Sequence, residues 1–180
     1  LNNPVRCELP GGLGQFCGAF AADIQGGDTA NLACRVHRCF GTGTVVASSY
    51  AGGFAGDIGF NACTIVEDCY TRASAHAFGD ALGTCTSAGF CPLIRSGTIN
   101  GFGGRVYRSY STGLVTTSGG GGVGPFAEVV GFGWINAGMF GWPDSVIEQC
   151  HTDMDTNGCA TPGDADGNTT VEMQTVATFI

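Results

Sequence analysis

The residues best placed to do chemistry lie near the end of the 180-residue chain. Asp153-x-Asp155-x-Asn157-Gly158 reproduces the first half of an EF-hand-like calcium loop, and Asp164 falls at its twelfth position. The bidentate Glu of such loops is absent and no flanking helices are evident. A solvated acidic turn therefore competes with a Ca2+ site, the one cofactor the sequence suggests. Asp23, Asp57 and Asp80 could form a column of carboxylates, but aspartates at equivalent repeat corners usually cap turns. His37, His76 and His151 lack a Ser or Cys partner pattern for nucleophilic catalysis. With seven Arg and no Lys, Schiff-base and P-loop lysine chemistry are excluded. The expectation is that the chain is not an enzyme.

Ten cysteines, an even number, suggest disulfides and an oxidising compartment. Zinc sites need short C-x-x-C or C/H pairs, whereas the close pairs here are Cys34/Cys39, Cys63/Cys69, Cys85/Cys91 and Cys150/Cys159. Cys7 and Cys17 bracket a GGLG turn and read as a local staple of an entry cap.

Fifteen acids against seven Arg give a formal net charge of -8. That sign repels a phosphate backbone and disfavours an anionic membrane surface, so no nucleic-acid partner is expected. No apolar run is long enough for a membrane span. The chain starts Leu1-Asn2-Asn3-Pro4, without Met or a signal-like n-region, so it reads as a mature product or a piece of a longer precursor. Thirty-two glycines without a collagen triplet indicate many tight turns joining short strands, and twelve Phe can fill a core.

The elements that would position these residues are set by a repeat. Val36-His37-Arg38-Cys39-Phe40, Val66-Glu67-Asp68-Cys69-Tyr70, Val106-Tyr107-Arg108-Ser109-Tyr110 and Ile147-Glu148-Gln149-Cys150-His151 are copies of one phrase. GAFAADI at 18–24 recurs as GGFAGDI at 52–58, matching Phe20 to Phe54, Asp23 to Asp57 and Ile24 to Ile58. A third unit starts at Ala77-Phe78-Gly79-Asp80 and carries an insertion at 83–97 pinned by its own cysteines. A fourth opens with Phe126 in the Phe54 role. Each unit reads as two strands and two corners.

One such phrase cannot bury a face alone. Stacked on its neighbours at about 4.8 Å it can, which predicts an all-β fold, a β-solenoid of about four irregular coils. The expected organisation is one domain over 1–180. It comprises an entry cap at 1–17, coils at 18–150, and an acidic loop with a C-terminal cap or strand at 151–180. Stacking makes Cys39–Cys69 and Cys34–Cys63 plausible disulfide rungs, with Cys85–Cys91 and Cys150–Cys159 local. Alternatives such as Cys34–Cys39 stay open. Thr169-Thr170-Val171-Glu172 has the capping-box pattern of a short helix.

The recurring Gly52-Gly53-Phe54-Ala55-Gly56 and Val66-Glu67-Asp68-Cys69-Tyr70 pattern resembles the GLUG-motif repeats of secreted and surface β-solenoid proteins. The tail is similar too, in Cys150 to Gly158, Gly167 to Met173 and Ala177-Thr178-Phe179. His151 departs from the family's aromatic, and the cysteine load is heavier. The resemblance implies extracellular or cell-surface display and no catalytic residues.

These readings lead to an extracellular structural protein, a filament subunit whose partner is another copy of itself, joined head to tail. Its contacts would be the terminal strands, with Leu1, Val5, Val176, Phe179 and Ile180 as candidates. The alternative is an adhesin or carbohydrate-binding module, with Trp134, Trp142, Phe140 and Tyr107 stacking on glycans. A polysaccharide-acting enzyme ranks third. Asn168 heads the only N-x-S/T sequon and is the glycosylation candidate; Ser109, Ser111, Thr116 and Thr117 are possible O-linked positions.

Overall fold

A computed structural model describes residues 5–7, 15–27, 33–59, 63–79, 85–95, 103–118, 127–136, 145–159 and 161–174, with the backbone alone at 5–7, 127–130 and 134–136. The strands fall into repeated sets of five. The first pass gives β1 (Val5–Cys7), β2 (Phe16–Gly18), β3 (Ala21–Ile24), β4 (Cys34–His37) and β5 (Phe40–Gly41). The second gives β6 (Thr44–Ala47), β7 (Tyr50–Gly52), β8 (Ala55–Ile58), β9 (Thr64–Glu67) and β10 (Tyr70–Thr71). The third gives β11 (Ser74–Ala77), β12 (Cys85–Ala88), β13 (Cys91–Arg95), β14 (Gly104–Tyr107) and β15 (Tyr110–Ser111). The fourth gives β16 (Val115–Thr117), β17 (Ala127–Val130), β18 (Gly133–Asn136), β19 (Val146–Glu148) and β20 (His151–Asp153). Helix α1 (Met154–Asn157), β21 (Asp166–Asn168) and helix α2 (Thr170–Met173) follow.

Strands of successive passes pair five places apart, and β21 adds to β20, giving five sheets: β1-β6-β11-β16, β2-β7-β12-β17, β3-β8-β13-β18, β4-β9-β14-β19 and β5-β10-β15-β20-β21. The pairings are parallel. The protein is all-β, and its parallel sheets fit a β-solenoid. Within the fourth sheet the phrase stacks in register, Val36 on Val66 on Val106 on Ile147. The Phe20/Phe54, Asp23/Asp57 and Ile24/Ile58 matches are likewise met, through β3 and β8 and the ring stack beside them.

Self-stacking explains the residue choice. Phe20, Phe54, Phe90 and Phe132 form one column, with ring centroids 4.8, 4.6 and 4.6 Å apart. They pack with Ile24, Ile58, Ile94, Val36, Val66 and Val106 in the main core. A second core between the first and second sheets is built of small residues, among them Ala47, Ala51, Ala75 and Ala77. Before the phenylalanines the chain must turn against its own copy: a Cβ at Gly53 would run into Gly89 O, and one at Gly89 into Gly131 O.

The phrase itself ends in a corner of unusual geometry. Arg38, Asp68, Arg108 and Gln149 all sit in the left-handed region, at φ 53, 53, 45 and 52°. Their amides keep the ladder running, Arg38 N donating to Glu67 O at 3.2 Å and Asp68 N to Tyr107 O at 3.2 Å. The next residue, Cys or Ser, then reaches back two positions. Cys39, Cys69, Ser109 and Cys150 donate to the carbonyls of His37, Glu67, Tyr107 and Glu148. A small side-chain donor is what the corner requires, which is why thiol and hydroxyl interchange there.

Several expectations are corrected. Each pass holds five strands, not two. Residues 5–7 and 16–18 are strands of the first pass, β1 and β2, rather than parts of an entry cap. The segment 83–97 is no insertion, because β12 and β13 pair in register with β7 and β8. Phe90 holds the Phe54 place in the third pass and Phe132 in the fourth; Phe126 lies outside the described residues. The capping box is present in α2, Thr169 accepting from Glu172 N while Glu172 accepts from Thr169 N.

Two consequences can be measured by chemical denaturation. Phe90→Ala, which empties a site sandwiched between two rings, should cost about 3–5 kcal/mol, and Phe20→Ala at the column's exposed end much less. Gln149→Gly should leave stability unchanged or raise it by up to about 1 kcal/mol, whereas Gln149→Val should lower it by about 1 kcal/mol.

Candidate functional site at the ends of the stacked strands

Stacked parallel strands leave two edges. At the N-terminal end, here the head, β1 to β5 are the outermost strands of their sheets among the described residues. Two aromatic columns stop there in exposed rings. Phe20 is 44% exposed and Phe40, which begins a column with Tyr70 and Tyr110, is 59% exposed. Arg35, His37 and Arg38 are exposed along the same edge.

The outer surface of the fourth sheet and its corner carries a charge ladder. Arg108 sits over the second pass, its Nε 2.7 Å from Asp68 Oδ1 and its NH2 2.9 Å from Glu67 Oε2. Below, His37 Nε2 lies 2.9 Å from Asp68 Oδ2, and Arg35 approaches Glu67 at 4.0 Å. The hydrogen bond from Arg108, then that from His37, holds the Asp68 carboxyl below its usual range. These exposed pairs contribute little stability each.

The C-terminal end, the tail, is partly covered. Gly131 N donates to Thr161 O, Phe132 N to Pro162 O and Asp164 N to Gly133 O, at 2.9–3.0 Å. Gly163 bridges Gly133, and β21 adds a fifth strand below β20 with Asp166 opposite His151. Ala165 packs against the main core beneath fully buried Phe132. Among the described residues, β16 to β19 remain outermost.

The tail also holds the acidic loop. Asp153 is the N-cap of α1, its oxygens accepting from Asp155 N, Thr156 N and the Thr156 and Thr170 hydroxyls. Asp155 accepts from Thr170 N, and buried Asn157 donates to Gly131 O. Asp164 lies on the Gly133 bridge. The Asp153 carboxylate is thus engaged as a helix cap, the segment 153–158 forms a capped helical turn, and among the described residues no three His, Cys, Asp or Glu gather as a metal site. Asn168, the sequon residue, is half-buried in β21, its Oδ1 2.9 Å from His151 Nδ1. Ser109 and Ser111 are buried, which removes them as O-linked positions.

The rung and local disulfides are absent: Cys34, Cys39, Cys63, Cys69, Cys85, Cys91, Cys150 and Cys159 are free thiols. Cys34 pairs with Thr64, so Cys63 is one step out of register. Cys39 and Cys69 are stacked, Cys39 N donating to Cys69 Sγ at 3.4 Å, but both sulfurs turn back to their own carbonyls. Cys85 and Cys91 belong to different cores. Cys150 donates to Glu148 O and Cys159 to Asn157 O. Cys17 is disulfide-bonded; the side chain of Cys7 lies outside the described residues.

Of the polymer-contact candidates, Val5 lies in β1 opposite Val45, and Leu1, Val176, Phe179 and Ile180 lie outside the described residues. The same holds for Phe140, Trp142, the Trp134 side chain and Asp80. His76 contacts Thr116 Oγ1 and Ser118 Oγ at 2.8 and 2.9 Å, with a hydroxyl where a triad would need a carboxylate.

Two features were not anticipated. A cavity of about 440 Å3 opens between the fifth sheet and α2, lined by Arg72, Tyr110, Thr112, Thr156, Thr170 and Gln174 among others. The aspartate column is also not a set of corners. Asp23 and Asp57 stand mid-strand, Leu93 takes the third place, and Arg95 Nε lies 2.8 Å from Asp57 Oδ2. Burial pushes the Asp57 carboxyl up to about 7 despite Arg95, and it raises Asp23 as well. The guanidinium of Arg95 in turn lies 5.1 Å from the centre of the Phe16 ring. No protein-family model, curated protein or solved structure matches this chain.

A folded-state pKa above the unfolded one means that the native state holds the proton more tightly. The resulting stability is complete below about pH 4 and is lost as pH rises through about 7, a change on the order of 4 kcal/mol. Melting temperature should therefore fall between pH 5 and pH 8 for the wild type, and the slope should flatten in Asp57→Asn. Parallel curves for the two proteins would exclude this assignment.

Proposed function

We propose that the chain is an extracellular structural repeat protein of the β-solenoid type, resembling the GLUG-motif proteins, and that it assembles with copies of itself. The observation that carries this reading is the head edge. Five sheets end there in outermost strands, and two aromatic columns end in exposed Phe20 and Phe40. An uncovered strand edge is a template for pairing. A contact between unlike ends that does not close into a ring gives a fibre. Nothing in this proposal requires catalysis. Of the polar groups described, the charge ladder is paired across passes and the His76 contact lacks a carboxylate.

The test is direct. Purified protein imaged by negative stain over rising concentration should give fibres, and aligned fibres should diffract at about 4.8 Å along their axis. A single monomeric species at every concentration would defeat the proposal.

A second reading, a carbohydrate-binding module, is favoured by the cavity beside Tyr110. A ring edge, a guanidinium, hydroxyls and an amide are the groups that hold sugars. Binding in a glycan screen that disappears in Tyr110→Ala would support it.

A further inference from the structure

The phrases of the fourth sheet alternate in charge from pass to pass. Residues 34–39 carry Arg35 and Arg38, residues 64–69 carry Glu67 and Asp68, residues 104–109 carry Arg105 and Arg108, and residues 145–150 carry Glu148. The alternation is expressed in contacts where neighbouring passes meet, as in Arg108 with Asp68 and Glu67. It leaves the fourth sheet basic at its head strand, β4, and acidic at its tail strand, β19. At the tail the acidity extends beyond one sheet, since residues 109–180 hold eight acids and no Arg, whereas residues 1–41 balance Arg6, Arg35 and Arg38 against Glu8, Asp23 and Asp28. Among the tail acids, Glu148, Asp155, Asp164, Asp166 and Glu172 are exposed.

We infer that the occupant of the head edge is the acidic tail of a second copy of this chain, with Asp166 and Glu148 of that copy facing Arg38 and Arg35. The inference rests on the self-assembly reading and adds its polarity and chemistry. Register supports the placement. Phe40, Tyr70, Tyr110, His151 and Asp166 occupy successive places of the fifth sheet, so Asp166 ends at the tail the column that Phe40 begins at the head. Seating β21 of one copy on β5 of the next sets Asp166 beside Phe40, two residues from Arg38. Because β21 is an extra layer, β19 and β4 then stand about two strand spacings apart, on the order of 10 Å. Extended Glu and Arg side chains span that gap, whereas direct backbone pairing between β19 and β4 does not. A head-to-head pair would instead place Arg35 and Arg38 against their own copies, which like-charge repulsion disfavours.

The test uses the full chain and charge exchange. Arg35→Glu with Arg38→Glu makes a head-reversed protein, and Glu148→Arg with Asp166→Arg a tail-reversed one. Each should keep the wild-type strand signal by circular dichroism, so that loss of assembly is not loss of folding. Alone, each should show at least a tenfold smaller assembled fraction by sedimentation velocity than the wild type at low salt. Mixed in equal amounts, their complementary ends should restore fibres of alternating copies. Wild-type assembly should itself weaken as salt is raised, because exposed charges are screened. Fibres that form normally from either folded reversed protein, or no restoration on mixing, would overturn the inference while leaving self-assembly in place. Wild-type protein that never assembles would overturn both.

Discussion

The structure depends on one constraint: parallel strands in register place each residue on its own counterpart one pass away. Few residue types tolerate that neighbour. Flat rings do, at the 4.6–4.8 Å spacing of Phe20, Phe54, Phe90 and Phe132. β-Branched aliphatics do, as in Val36, Val66 and Val106. Like charges directly opposed repel, and where two carboxylates do stack, Asp23 on Asp57, Arg95 lies against the pair and burial raises both carboxyls. The fourth sheet resolves this by alternating sign, so that Asp68 meets His37 on one side and Arg108 on the other. Core and surface thus obey the same rule, through dispersion in one and Coulomb attraction in the other.

That rule also sets how much of the fold is legible in the sequence. Where stacking demands a large or distinctive residue, the repeat can be read directly: the four phrases and the Phe20/Phe54 match locate the fourth sheet and the start of the third. Where stacking needs only small residues, the pattern fades. Ala47, Ala51, Ala75 and Ala77 form a core of their own, yet alanines and glycines recur all along the chain. The first and second sheets therefore leave no distinctive signature, and the sequence shows only two strands per pass. Ala88-Gly89-Phe90 is a fair copy of Gly52-Gly53-Phe54, and it was hidden by the cysteines on either side. A pair spaced like Cys85 and Cys91 suggests a pinned loop, whereas these two serve different cores.

The tail was legible in its local chemistry and illegible in its purpose. The Thr169/Glu172 capping box follows from the sequence because both its hydrogen bonds are made within four residues. The Asp153 to Asn157 segment has the same composition whether it holds a cation or caps a helix. The deciding partners, Thr170 and Gly131, come from 17 and 26 residues away. Covering the end of the Phe column takes these contacts together with the Gly133–Gly163 bridge, and none of them has a local signature.

The cysteines carry the same lesson furthest. Stacking brings Cys39 and Cys69 together, yet closeness of two thiols does not make a bond when each already has a better-placed acceptor. The corner after a left-handed residue leaves one carbonyl within reach of a short donor, and Ser109 fills the place as well as Cys69 or Cys150 does. Burial then makes the thiols poor reagents. It pushes Cys69 up to about 11 and Cys150 up to about 12, and raises Cys91 as well. A thiol held protonated at neutral pH is a weak nucleophile for disulfide exchange. The abundance of cysteine in this chain therefore follows from what its corners and narrow cores accept, a small side chain that is nearly apolar and still donates one hydrogen bond.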